Sequence, residues 1–126
     1  YIQPGRLTPD DWRVLAEAAQ WSRANADALV DTHWLGGDPA KLEVYGYASW
    51  TPRKAMVMLR NPDNQPRTFP LEVGAAFELP PGARTQFKLT SPWAEDRARP
   101  PLTARAGKPV PITLRPFQVL VLESRR

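Results

Sequence analysis

Leu42-Glu43-Val44-Tyr45-Gly46-Tyr47-Ala48-Ser49, followed shortly by Ala55-Met56-Val57-Met58-Leu59, is the stretch that decides the fold. The first run alternates with a period of two, the repeat of an extended strand with one covered face. The second is continuously apolar, as a strand covered on both faces is. The two read as neighbouring strands.

Toward the C-terminus the same pattern repeats. Asn61-Pro62-Asp63-Asn64-Gln65-Pro66 is a dense turn signal, and Phe69, Leu71 and Val73 then share a face, with Pro70 marking an edge or a bulge. Phe77-Glu78-Leu79 leads into a Pro80-Pro81-Gly82 turn, and Gln86-Phe87-Lys88-Leu89 again places two apolar residues on one side. Leu102-Thr103-Ala104, the alternating Val110, Ile112 and Leu114, and the mostly apolar Phe117 to Leu122 complete the series. Seven or eight short strands punctuated by turns predict a mainly β protein, an antiparallel β-sandwich. The 15 prolines agree, since proline blocks helix interiors and central strand positions.

Toward the N-terminus the period changes to 3.6. Thr8-Pro9-Asp10-Asp11 is a helix start, with a hydroxyl to cap the free amides, a proline at the first helical position and carboxylates at the positive dipole end. One amphipathic helix is predicted from there to about Leu29. Trp12, Leu15, Ala16, Ala19, Ala26 and Val30 fall on one face, and Val14, Trp21 and Ala28 on nearly the opposite one. A single β layer covers only one of these faces. The expectation is that the other packs on a neighbouring domain through Val14 and Trp21.

At 126 residues, 42% apolar and 24% charged, the chain has the composition of one ordinary globular unit. It contains no cysteine, which excludes disulfides and thiolate metal sites. The formal charge of +4 is scattered and interleaved with Asp and Glu, a solvated surface and not a nucleic-acid stripe. No run is long and apolar enough for a membrane span, and no signal-peptide pattern opens the chain. The start at Tyr1, without an initiator Met, reads as a piece of a longer parent. The expected partners therefore include neither nucleic acid nor membrane.

The chemistry-bearing residues are few. Asp10 and Asp11 belong to the helix start, Glu43, Glu72 and Glu78 alternate with apolar neighbours, and Glu95-Asp96 sits in a polar loop. None presents the facing pair of carboxylates that glycoside hydrolysis generally needs. His33 is the single histidine and stands two residues from Asp31, within reach of a local hydrogen bond but far from a histidine-rich metal site. Gly36-Gly37-Asp38-Pro39 is a tight turn and lacks a phosphate-loop pattern. No catalytic residue, cofactor or metal is expected. The aromatic set of Trp34, Tyr45, Tyr47, Trp50 and Trp93 offers rings able to stack on sugars; Trp34, Trp50 and Trp93 are the candidate sugar contacts, against the alternative that the rings fill the core.

Asp31-Thr32-His33-Trp34-Leu35-Gly36-Gly37-Asp38-Pro39, Glu43 to Trp50 and Leu59-Arg60-Asn61-Pro62 resemble the C-terminal region of bacterial α-galactosidase-like glycoside hydrolases, the enterotoxin-labelled, endo-α-N-acetylgalactosaminidase-like group. The tail from Gly107 to Glu123 resembles the closing strands of the β-sandwich in many barrel glycosidases. The resemblance implies that residues 1–30 carry the last helix of a preceding catalytic barrel and that 31–126 form a C-terminal accessory sandwich. It places the catalytic residues before Tyr1, makes the preceding catalytic domain of the same polypeptide the partner, and suggests an extracytoplasmic parent. Two other functions fit the residues: an independent carbohydrate-binding module and a protein-interaction domain.

Overall fold

The computed structural model describes residues 3–125. Thr8 and Asp11 form a reciprocal capping box at the start of α1 (Pro9–Ala24): the Thr8 hydroxyl accepts from the Asp11 N–H at 3.1 Å, and the Asp11 carboxylate accepts from the Thr8 N–H at 2.9 Å. The helical path reaches Leu29 as periodicity predicts, with one interruption: Asn25, fully buried at φ −116° and ψ 16°, donates its side-chain amide to the Trp21 carbonyl that its own N–H also uses, and the single turn α2 (Ala26–Leu29) follows.

Eight strands follow: β1 (Thr32–Gly36), β2 (Tyr45–Trp50), β3 (Lys54–Arg60), β4 (Arg67–Leu71), β5 (Gln86–Leu89), β6 (Leu102–Arg105), β7 (Val110–Leu114) and β8 (Val119–Arg125). A one-turn helix, α3 (Val73–Ala76), lies between β4 and β5. β1, β2, β3 and β8 make a four-stranded sheet in that order, and β4–β7 and β5–β6 make two further antiparallel pairs. Thr90 and Glu123 exchange both backbone hydrogen bonds, at 2.8 and 2.9 Å, which ties the end of β5 to β8. The mainly β class and antiparallel layering expected from the sequence are what the chain adopts.

The core lies between the large sheet and the two smaller pairs. Val57, Leu59, Leu120 and Leu122 project from the large sheet, and Leu71, Phe87, Leu89, Ala104, Ile112 and Leu114 project from the opposing strands. Phe77 meets Phe87 edge-on, with centroids 5.2 Å apart. Gly46 sits in β2 opposite Leu59, where an added Cβ would collide with the Met58 carbonyl, so this position admits no side chain.

Three local expectations are corrected. Thr32–Gly36, ahead of the first expected strand at Leu42, is itself an edge strand, paired along its length with β2. Phe77-Glu78-Leu79 is not extended: Glu72 caps α3 through the Gly74 and Ala75 amides, and Glu78 takes a positive φ of 49°. Phe117 also turns back, at φ 59°, so the last strand begins at Val119. Pro70 and Pro111 lie directly opposite each other in the β4–β7 pair, an arrangement open to proline because neither strand has a second neighbour.

Candidate functional site

The two-residue period of the large sheet fixes what its second face carries. With Val57 and Leu59 in the core, Met56 and Met58 point the other way. The register then sets Trp34, Tyr47, Met58 and Val121 side by side across four strands. The helical segment lies over part of this face. Between Trp21 and Leu29 on one side and Tyr47, Met56, Met58 and Val121 on the other runs an apolar groove of about 310 Å³. Met56 and Val121 form its buried floor, while Trp34 remains 48% exposed beside it.

Polar contacts hold the helix to the sheet. Trp21 donates its indole N–H to Glu123 at 2.9 Å and packs edge-on against Trp93, with centroids 5.5 Å apart. Arg125 donates to the Asn25 side chain at 3.1 Å, and the Ala94 N–H donates to Glu17 at 3.1 Å. The Lys54 ammonium donates to the Ala24 carbonyl and to Asp27, and this bond holds the Asp27 carboxyl below its usual range.

The helix consequently faces the other way from the expectation. Trp21, Asn25 and Ala28 look toward the sandwich, so Trp21 belongs to an intrachain contact and not to the outer face. Glu123 and Arg125 decide this by offering partners to Trp21 and Asn25, a polar match that hydrophobic periodicity does not register. Val14 lies on the same helix face as Trp21, two turns or about 10 Å earlier, yet it is 43% exposed. Trp12 and Leu15 on the opposite face are 51% and 41% exposed, and no residue of α1 is buried. Val30 at the end of the helical segment is also exposed.

The three tryptophans expected to touch sugar are not brought together. Trp34 stands on the outer face, stacked on Tyr45 at 5.1 Å and 11° and perpendicular to Tyr47 at 88°, so its neighbours take up ring surface that a coplanar platform would need free. Trp50 has the opposite parity in β2 and packs against the core. Trp93 sits by the helix, at a polar cleft of about 400 Å³ that also holds Ser91, Asp96, Arg97 and Arg99. The sequence marked the ring types but not the face each would occupy.

The carboxylates take up structural posts. Asp63 receives two hydrogen bonds from Arg67, which hold its acid below the usual range. Glu72 is held low chiefly by the Gly107 N–H, together with those of Gly74 and Ala75. His33 pairs not with Asp31 but with the Ala76 carbonyl, at 2.6 Å, and stands 3.7 Å from Glu78. Among the described residues no group of three or more His, Cys, Asp or Glu could hold a metal ion, and no helix is long and apolar enough to cross a membrane.

No protein-family model matches the sequence, and no curated protein matches it. Among solved structures the chain is similar to a Bacillus halodurans protein provisionally named as an α-N-acetylgalactosaminidase, at 19% identity and a TM-score of 0.46. That match covers 66% of this chain and 18% of the other, so the chain spans less than a fifth of the neighbour's length.

Proposed function

We propose that this chain is a non-catalytic C-terminal accessory β-sandwich domain of an α-galactosidase-like glycoside hydrolase, and that α1 with the outer face of the large sheet stabilises the preceding catalytic barrel. The observation that carries this reading is the helix. Sixteen residues long, it has Trp12, Val14 and Leu15 exposed and no buried residue. A helix of that length gains little from its own hydrogen bonds and draws its stability from an apolar face packed on something else. Trp34, Tyr47, Met58 and Val119 extend the uncovered apolar surface onto the sheet. A barrel helix docked between its own barrel and this sandwich accounts for both sides of α1, in line with the family resemblance of the sequence. The carbohydrate-module reading is weaker because the exposed rings stack on one another.

The test is the pair Trp12→Ser and Leu15→Ser. In the isolated chain Trp12 and Leu15 are already 51% and 41% exposed and make no core contact, so the melting temperature stays within about 2 °C of wild type, with improved solubility. In the full parent polypeptide each costs roughly 1–2 kcal/mol of the stability of the catalytic unit, the value of a large apolar side chain half-buried on docking. Equal loss in the isolated chain, or none in the parent, refutes the docking role.

A further inference from the structure

β1 is the free edge of the large sheet, and the register fixes which of its backbone groups are spent. At the turn between β2 and β3, Thr51 and Lys54 exchange both backbone hydrogen bonds, at 2.7 and 3.3 Å. By the alternation of an antiparallel ladder, Tyr45, Tyr47 and Ser49 then bond to β3, while Gly46 and Ala48 turn to β1, where their partners are Leu35 and His33. The Gly37 N–H, on the Val44 carbonyl at 2.8 Å, continues the same set. The N–H and C=O of Thr32, Trp34 and Gly36 therefore point away from β2, and among the described residues no other group bonds to them. All three residues are exposed.

The surroundings of this edge are apolar beneath and acidic at the ends. On the core side, Leu35 and Gly36 of β1, Phe69 and Leu71 of β4 and Ala75 and Ala76 of α3 line a cleft of about 210 Å³. The carboxylate that reaches it, Glu72, is already held by the Gly74, Ala75 and Gly107 amides. A strand added beside β1 sends alternate side chains toward this cleft. Asp31 and Asp38 stand exposed at the two ends of the edge, and the exposed Glu78 lies 3.7 Å from His33. No Lys or Arg falls between Arg23 and Lys41, and Arg67, which shares a cleft with Gly37, is bonded to Asp63. β1 itself holds no proline, lysine or carboxylate, the residues that commonly blunt an open edge.

We propose that the β1 edge takes up an extended peptide segment as an added strand, with an apolar side chain of the segment in the cleft between β1 and β4 and basic residues at its ends beside Asp31 and Asp38. The free ladder groups supply affinity, and the cleft and the carboxylates supply selection. Charge decides against a second copy of this chain as the occupant. Pairing Thr32 with Gly36 of another copy brings Asp31 of each next to Asp38 of the other, which sets like charges together at both ends. The inference stands apart from the docking role, which uses side chains of the outer face, whereas this one uses the backbone of the edge.

The experiment is amide exchange and NMR titration of the whole chain with the blocked heptapeptide Lys-Thr-Leu-Thr-Leu-Thr-Lys. Without peptide, the Thr32 and Trp34 amides exchange at least about tenfold faster than those of His33 and Leu35, which β2 holds. With peptide, saturable shifts appear along β1 and the Trp34 amide gains at least about tenfold in protection. A version with Glu at both ends binds at least about tenfold more weakly, and one with its third and fourth residues replaced by Pro does not saturate. Asp31→Asn narrows the difference between the Lys-ended and Glu-ended peptides. The proposal is overturned by a Trp34 amide as protected as that of His33 in the free chain, by absence of saturation with the Lys-ended peptide, or by equal binding of the Glu-ended one. Saturable shifts confined to Tyr47 and Met58, with no protection of Trp34, overturn it in favour of binding on the sheet face. Protection of Trp34 that grows with protein concentration alone overturns it in favour of a second copy. All of these outcomes except the Asp31→Asn comparison are read on the wild-type chain.

Discussion

Replacing Trp21 by Ala should free the helix while leaving the sandwich intact. The change removes the edge-on contact with Trp93, the hydrogen bond to Glu123 and the half-buried area of the indole. An aromatic pair contributes roughly 0.5–1.5 kcal/mol, a hydrogen bond to a charged acceptor roughly 1.5–3 kcal/mol, and half-burial of a large ring about 1 kcal/mol. Glu123 keeps Arg125 at 3.6 Å after the substitution and is not orphaned, which favours the lower ends. The total is about 3 kcal/mol, a factor of roughly 100 in an equilibrium constant. Since no residue of α1 is buried, the loss should appear as local opening of the helix and not as global unfolding. Native-state amide exchange reads this directly. Protection in α1 falls by about 100-fold relative to wild type, while β3 and β8 amides hardly change. Trp21→Phe, which mainly loses the hydrogen bond, falls by about tenfold. Parallel loss of protection in β3 and β8, or an unchanged α1, would refute the reasoning.

Two further outcomes follow from the same structure. Gly46→Ala drives a Cβ into the Met58 carbonyl in the middle of the large sheet, and thermal melts should show a loss of more than about 3 kcal/mol or no folded protein. Glu72 has its folded pKa lowered from the usual 4.5 by the Gly107, Gly74 and Ala75 amides, so on acidification the unfolded chain takes the proton first. Its contribution is therefore present above about pH 4.5 and is lost as the pH falls through the folded value. Urea melts should show wild type losing more stability than Glu72→Gln between about pH 6 and about pH 3, and equal losses would remove Glu72 from that role.

Much of the fold was legible because it rests on local rules. The Thr8 cap and the strands over Tyr45–Ser49 and Ala55–Leu59 each depend on residues near in sequence and formed, although Leu42 takes φ 59° outside the strand and Met58 leaves the second face of β3 partly uncovered. The errors fell where distant partners intervene. β1 is a strand because β2 lies beside it, not because Thr32–Gly36 alternates well. The helical path to Leu29 is interrupted at Asn25, whose side chain finds the Trp21 carbonyl and Arg125. At the candidate surface, the sequence identified tryptophans but not the strand parity that sends Trp34 outward and Trp50 inward.

Composition and periodicity by themselves determined the class of this protein, its strand-rich middle and its one long helix, since backbone geometry imposes periods of two and 3.6 on any buried face. Which face of that helix meets the sheet was decided only in three dimensions. Its two apolar faces are nearly balanced, and the balance was tipped by Glu123 and Arg125, some hundred residues away, accepting from and donating to Trp21 and Asn25.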